Sequence, residues 1–502
     1  MSVALRKELA SDMTLNLLTD PWIPVRTTTG QQIIRPDQIA QTGIINTDWP
    51  RADLNIACLE FLVGLIYLVD PSSGRSDWLG RTADPARLRE RLAPLAGAFN
   101  LSGDGPRFLQ DREVLVGHPN APDMLFIDSA GGNTIKNNAD LMTRGGRYPQ
   151  LSAPLAAMAL YTLQAHAPSG GAGNRTSMRG GGPMVCIVDP QIEGSETPLW
   201  DKVWANVPDG SPQEINALPW MRETVTSEKG QQVHMPEGPL PAEVFFGMPR
   251  RLRLVFEDDV VTGVIQRPYG TNYAGWRHPL TPYYRIKEGA ELLPRHPSAG
   301  TFGYRDWLGI AVAQKDNKGL RERPETLVAY INRGGPTGAS LQVAGWAMDN
   351  MKPRDFTLSR QPLMDPDGPA EFMLRGVIEA GTIFADALRG ALKPVVGKEG
   401  HALAAAREAF LLESQPMVEV AMLSEPVEST ARDLHRQLGR LALGLFENRA
   451  LPGLADRDPE DIEAIVSAHG WLRGTTGGWT TQGVLAMHAL SLEPPTRKKE
   501  DV

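Results

Sequence analysis

From Pro369 to about residue 491, apolar side chains recur every three or four positions, and no other feature constrains the fold as much. Leu374, Val377, Ile378, Phe384, Leu388 and Leu392 share one helical stripe. Leu403, Ala406 and Phe410 define a second, and Leu434, Leu438, Leu441 and Leu445 a third. A last pair of helices is expected within 459–491, broken near Gly474–Gly478. Such stripes are buried only by packing on one another, so this part reads as a C-terminal four-helix bundle. Residues 1–367 lack that uniformity and mix short strands, helices and turns, which makes the fold class α+β. The expected organisation is an N-terminal α+β domain at 1–367, a helical bundle at 368–495 and a charged, disordered tail at 496–502.

The N-terminal part supplies the detail. Residues 15–36 read as short strands joined at a Thr-Gly turn, and a helix from about Asp53 to Val69 carries Leu54, Cys58, Phe61, Leu62, Leu65 and Leu68 on one face. A further helix is expected at Ser152–Ala167, a buried strand at Met184–Val188, a hairpin over 251–265 and a helix at 303–313. Asp349-Asn350 should form an exposed turn tip. The chain has two cysteines, Cys58 and Cys186, far apart. That excludes a zinc ribbon or a disulfide framework and fits a reducing cytoplasm. The most apolar run, Leu54–Val69, contains Glu60 and falls short of the roughly 20 residues a membrane span needs, so no membrane partner is expected.

Pro168 to Pro183 holds six glycines and two arginines, Arg175 and Arg179. Such a stretch is a loop: glycine admits positive φ and lets backbone approach a ligand closely. The arginines supply planar donors for phosphate or a base edge. Residues 141–188 contain Arg144, Arg147, Arg175 and Arg179 and no acid, a basic island in a chain of formal net charge −8. A second island at 260–287 sets Arg267, Arg277, Arg285 and Lys287 among Tyr269, Tyr273, Trp276, Tyr283 and Tyr284. Interleaved basic and aromatic residues hold phosphates and stack bases. The plainer readings are a solvent-exposed glycine loop and a strand whose aromatics lie in the core. No phosphate loop, zinc-protease or nucleophile-elbow motif occurs. Two alternatives from other classes stay open: an enzyme binding a nucleotide through residues 169–182, and a non-specific RNA-binding scaffold.

The chain also resembles a family. Asn16-Leu-Leu-Thr-Asp-Pro-Trp-Ile-Pro-Val25, Ala167-Pro168 through Arg179-Gly180-Gly181, and Trp276-Arg-His-Pro-Leu-Thr-Pro282 match motifs of the CasA family in order and spacing. That family is the large subunit of the type I-E CRISPR surveillance complex, Cascade. The resemblance implies a non-enzymatic protein that reads the protospacer-adjacent motif of duplex DNA from the minor groove, parts the strands and recruits a helicase-nuclease. It implies partners: the 5′ handle of the guide RNA, target duplex DNA and other Cascade subunits. By resemblance, a glycine loop falls at Ser169, Gly170, Gly171, Ala172 and Gly173, flanked by Arg175 and Arg179. A basic finger falls at Arg267, a strand-separating wedge at Asp349 and Asn350, and an RNA-handle contact at Phe126 and Asp128. Ser169 and Ala172 stand where relatives have glycine, Arg267 replaces a lysine, Asn350 a glutamine and Asp128 an asparagine. The cysteine pairs of some relatives are missing, so neither zinc nor another cofactor is expected.

Overall fold

The hairpins and helices set out below come from a computed structural model that describes residues 14–131, 135–137, 145–171, 173–190, 196–313, 319–364, 368–397, 400–424 and 427–496. Ala172, Arg144 and the last six residues of the expected tail lie outside them. The chain divides into two compact units: Met1–Ala299 with Lys315–Leu363, and Gly300–Gln314 with Met364–Val502.

In the first unit, β1 (Ile23–Thr27), β2 (Gly30–Ile34) and β3 (Ile44–Thr47) form a small antiparallel sheet in the order β2-β1-β3. Helix α1 (Ala52–Val69) follows, and from Ile56 onward every residue of it is buried. The sequence pattern predicts one apolar face. The structure instead surrounds the helix, which is the arrangement a helix apolar on all sides requires. It is the one helix among the described residues long and apolar enough to cross a membrane, and 89% of that window is buried inside the protein. Phe61 meets Phe108, Tyr161 and Phe246 edge-on, at 5.9, 5.3 and 6.2 Å between ring centroids. Cys58 and Cys186 are both buried.

Strand β4 (Leu151–Ser152) leads into helix α2 (Ala153–His166), whose end releases the glycine stretch; β5 (Val185–Asp189) follows it. Strands β6 (Arg251–Glu257) and β7 (Val260–Arg267) form the expected hairpin, with β4 added on β7. A longer hairpin of β8 (Ser340–Asp349) and β9 (Lys352–Pro362) pairs with β5 through β8. The expected tip at Asp349-Asn350 thus caps two long strands. In the second basic island, Trp276 and Tyr283 are buried, and Tyr273 donates to Glu243 Oε1 at 2.8 Å. Arg277 and Arg285 are both spent on Glu322. The plainer reading therefore holds for most of that island.

The second unit packs α3 (Gly368–Ala391), α4 (Gly400–Leu423), α5 (Glu428–Ala450), α6 (Pro459–Thr476) and α7 (Thr481–Ala489). Leu374, Leu388, Phe410, Leu438 and Leu472 are among its fully buried side chains. Its remaining part, Gly300–Gln314, is not the helix expected at 303–313. It has one short 3-10 turn at Tyr304–Asp306, and Leu308 and Val312 form an isolated bridge. Three contacts hold this segment to the helices. The Tyr304 hydroxyl meets Ser414 Oγ at 2.9 Å, a Cβ on Gly381 would stand 2.5 Å from that hydroxyl, and Arg305 pairs with Glu408. A single cut at 367/368 misses this inserted piece and would leave Tyr304 and Trp307 without their surroundings.

Candidate nucleic-acid interface

The glycine stretch begins where α2 ends. A helix C-terminus presents unpaired carbonyls and negative partial charge. Here the loop supplies its own donors: Ser177 N to Ala167 O at 2.9 Å and Gly182 N to His166 O at 3.0 Å. Between these ties a tight turn projects outward, closed by Gly170 N to Asn174 O at 3.3 Å and Asn174 N to Gly171 O at 2.7 Å. Gly171 and Gly173 have φ of 66° and 75°, in the left-handed region. Ser169, Gly170 and Gly171 are exposed.

Arg179 is not part of that exposed surface, which corrects its expected role as a DNA contact. It is 1% exposed, with Nη2 donating to Glu60 Oε1 at 2.5 Å and Nη1 to Glu60 Oε2 at 3.2 Å. Its remaining bonds go to Thr281 Oγ1 and to Ala165 O at the end of α2. His278 Nε2 lies 3.5 Å from Glu60 Oε1 and His166 Nε2 3.7 Å from Oε2. Burial works against the Glu60 carboxylate, but Arg179 and then His278 outweigh it and hold its pKa well below the usual range. Burial, then Arg179, pushes His278 well down, so its ring is neutral. The loop and the Trp276–Pro282 motif thus meet around one buried charge pair on α1, and both motifs are scaffold at this point. A lone acid in the most apolar run was the signal for it: a buried carboxylate needs a cation.

The turn joins two other elements. On one side Gly173 O accepts from Tyr269 N at 2.9 Å, and Gln266 Nε2 donates to Asn174 Oδ1 at 3.1 Å. A Cβ on Gly173 would stand 2.8 Å from the Tyr269 ring. Arg267 lies between those two contacts, exposed at the end of β7. Arg175 donates to Ser227 Oγ at 2.8 Å. On the other side, Gly181 and Gly182 pack on the β8–β9 hairpin, with a Gly181 Cβ placed 3.4 Å from Met351 Sδ. The hairpin turns through Asn350 and Met351, at φ of 49° and 62°, a two-residue turn with both residues left-handed. Asp349 Oδ2 pairs with Arg354 at 2.6 Å and its Oδ1 accepts from Asn350. Asp349 is therefore committed to the hairpin, whereas Met351 is 46% exposed. Sequence reasoning passed over Met351; an apolar residue in a position that favours Asn or Gly is the signal that could have found it.

Phe126 and Asp128 lie elsewhere, beside the start of α1. Phe126 is buried, with Tyr148 stacked on it at 4.4 Å and Arg51 over its ring at 4.9 Å. Its face is not free for a base, a correction to its expected role. Asp128 bridges Arg51 at 3.0 Å and Arg147 at 2.9 Å. Burial raises its pKa, but the hydrogen bonds from Arg147 and Arg51 win and lower it. Its charge is therefore neutralised within the protein. Arg51, Arg147 and Tyr148 complete a basic-aromatic cluster of which the sequence reading named two members. Away from both clusters, a cleft of about 650 Å³ is lined by Asp20, Asp258 and Asp259, the wrong sign for a nucleotide phosphate.

Together these features define a class: an α+β protein with a helical unit, presenting a glycine turn, a basic strand end and a hairpin tip on one connected surface. The chain belongs to the CasA/Cse1 family of type I-E Cascade, matching the family described as CRISPR-associated protein Cse1 over residues 16–445. Its fold is similar to CasA (Cse1) of Thermus thermophilus, at TM-score 0.68 and 18% identity over 92% of this chain and 99% of that one. It is also similar to Cse1 of Acidimicrobium ferrooxidans, at TM-score 0.67 and 17% identity over 96% and 99%. A chain of a solved CRISPR RNA-guided surveillance complex matches at TM-score 0.65 and 14% identity, over 91% and 99%.

Proposed function

We propose that this chain is a non-catalytic, cytoplasmic large subunit of an RNA-guided surveillance complex that reads a short duplex motif from the minor groove and starts strand separation. One observation carries the reading: the Gly170–Asn174 turn bonds to the Arg267–Tyr269 strand end while the same loop packs on the Asn350–Met351 tip. Minor-groove edges offer a degenerate code that a side-chain-free backbone reads by close approach. Specificity beyond it passes to guide pairing. Arg267 adds a charge beside the groove, and the hairpin tip inserts between base pairs, Met351 providing the apolar contact typical of such wedges. The helical unit grips opened DNA and takes part in recruiting the helicase-nuclease.

The assembled complex is the object to test, on duplexes with and without the motif and on the same duplexes pre-opened by a mismatched bubble. Asn350→Ala and Met351→Ala should bind intact duplex weakly and bubbled duplex like the parent, because the bubble removes the unstacking cost of a few kcal/mol. If the bubble rescues neither variant, the tip does not open DNA. The guide-RNA handle is assigned to the Arg51–Phe126–Asp128–Arg147–Tyr148 cluster. Asp128→Asn releases two guanidiniums from a carboxylate, so it should tighten handle binding and steepen its salt dependence, by up to about two phosphate contacts. Unchanged handle affinity in a filter-binding titration would remove that cluster from the RNA path.

A further inference from the structure

Most arginines of this chain are paired with acids; those around the glycine turn are not. Arg175, Arg250 and Arg267 form no ion pair with any described residue, in a protein of net charge −8. Arg250 is the unusual one. It is 6% exposed, and no carboxylate compensates its charge. Its backbone N accepts no freedom, being bonded to Gln164 Oε1 at 3.0 Å, and Nη2 donates to Pro168 O at the base of the turn. Its Nε is buried without a partner. Nη1 lies 2.7 Å from the place a Cβ on Gly170 would take, so a single thickness of glycine backbone covers the guanidinium. Above it, the amides of Gly171 and Gly173 donate to no described acceptor.

We propose that the turn over Arg250 is an anion seat that takes one phosphate of the DNA backbone, with Gly171 and Gly173 amides as donors and Arg250 as the charge beneath them. The inference rests on the turn facing DNA, and adds to base-edge reading a sequence-independent contact at the same loop. Successive backbone amides in left-handed glycine conformations form concavities of the kind that hold anions. A cation in a low-dielectric site beneath them is screened little by salt water and attracts the phosphate strongly. Burial lowers the Arg250 pKa to about 10, which still leaves it charged at neutral pH. An uncompensated buried guanidinium is a poor choice for stability alone. An arriving phosphate would supply the missing counter-charge.

The test is binding of the assembled complex to motif-bearing and motif-free duplexes over a salt series, with parent, Arg250→Met and Arg250→Lys. Arg250→Met should weaken both duplexes equally and make the slope of log K against log salt shallower by about one. Its thermal unfolding should be unchanged or later. Arg250→Lys should keep the parental slope. An unchanged slope in Arg250→Met, or loss of motif preference without a slope change, would make Arg250 a support of loop shape and overturn the proposal. Should Arg250→Met fail to fold, Gly170→Ala, which drives a methyl onto Nη1, should lower the slope alike, and a parental slope there overturns it. A parent complex with no motif preference would sink the reading of the loop, while the slopes would still report on the phosphate.

Discussion

Replacing Gly173 with valine should cut binding of motif-bearing duplex by the assembled complex about thirty- to a hundred-fold, equivalent to roughly 2–3 kcal/mol. Two costs combine. The residue sits at φ 75°, where a β-branched side chain is strained by about 1–3 kcal/mol. Its Cβ would stand 2.8 Å from the Tyr269 ring and 2.9 Å from the Tyr269 backbone nitrogen. That nitrogen cannot withdraw without breaking its bond to Gly173 O, so the turn and the strand end carrying Arg267 would separate. Gly171→Ala is the internal control. It shares the left-handed φ, but its Cβ would meet nothing within 4 Å. Its loss should therefore be limited to the backbone term, about 1–2 kcal/mol or some five- to thirty-fold. Equal binding by Gly173→Val and parent would mean that this turn does not read DNA.

Glu60→Gln is expected to destabilise the N-terminal unit by about 3–5 kcal/mol, because it strands the Arg179 guanidinium in the core without its counter-charge. The measurement is denaturant unfolding followed by tryptophan fluorescence, and an unchanged midpoint would show the pair to be dispensable. Duplex binding should weaken too, since Arg179 ties the end of the glycine loop to α1 and α2. The same cluster sets a pH dependence. Glu60 is held below its ordinary pKa, so the unfolded chain takes up a proton near pH ~4 that the native state refuses. Its stabilisation is complete above that pH and lost below it. His278 is kept neutral by burial, so the unfolded chain also binds a proton below about 6.5 that the native state does not. In both cases the unfolded state holds more protons in acid, and stability falls as pH drops from neutral. Glu60→Gln should erase the lower part of that fall and keep the upper part, from His278.

What the sequence by itself determined was whatever depends on near neighbours. The stripes at Leu374–Leu388 and Leu434–Leu445 set helices because an α-helix brings positions three and four apart onto one side. The β6–β7 hairpin, the turn at Asp349-Asn350 and the loop at 168–183 followed from alternation and from glycine, and family motifs located the loop's role. Tertiary structure alone decided which charges are available. Arg179 and Arg250 read alike in sequence, yet Arg179 meets an acid 119 positions away, while Arg250 stands uncompensated beneath the turn. Phe126 is buried by Tyr148, and Gly300–Gln314 joins the helical unit through Tyr304 and Ser414, 110 positions apart. The reason is physical. Backbone periodicity is a local property, whereas the fate of a charge or an aromatic face depends on what distant segments bring within a few ångströms of it.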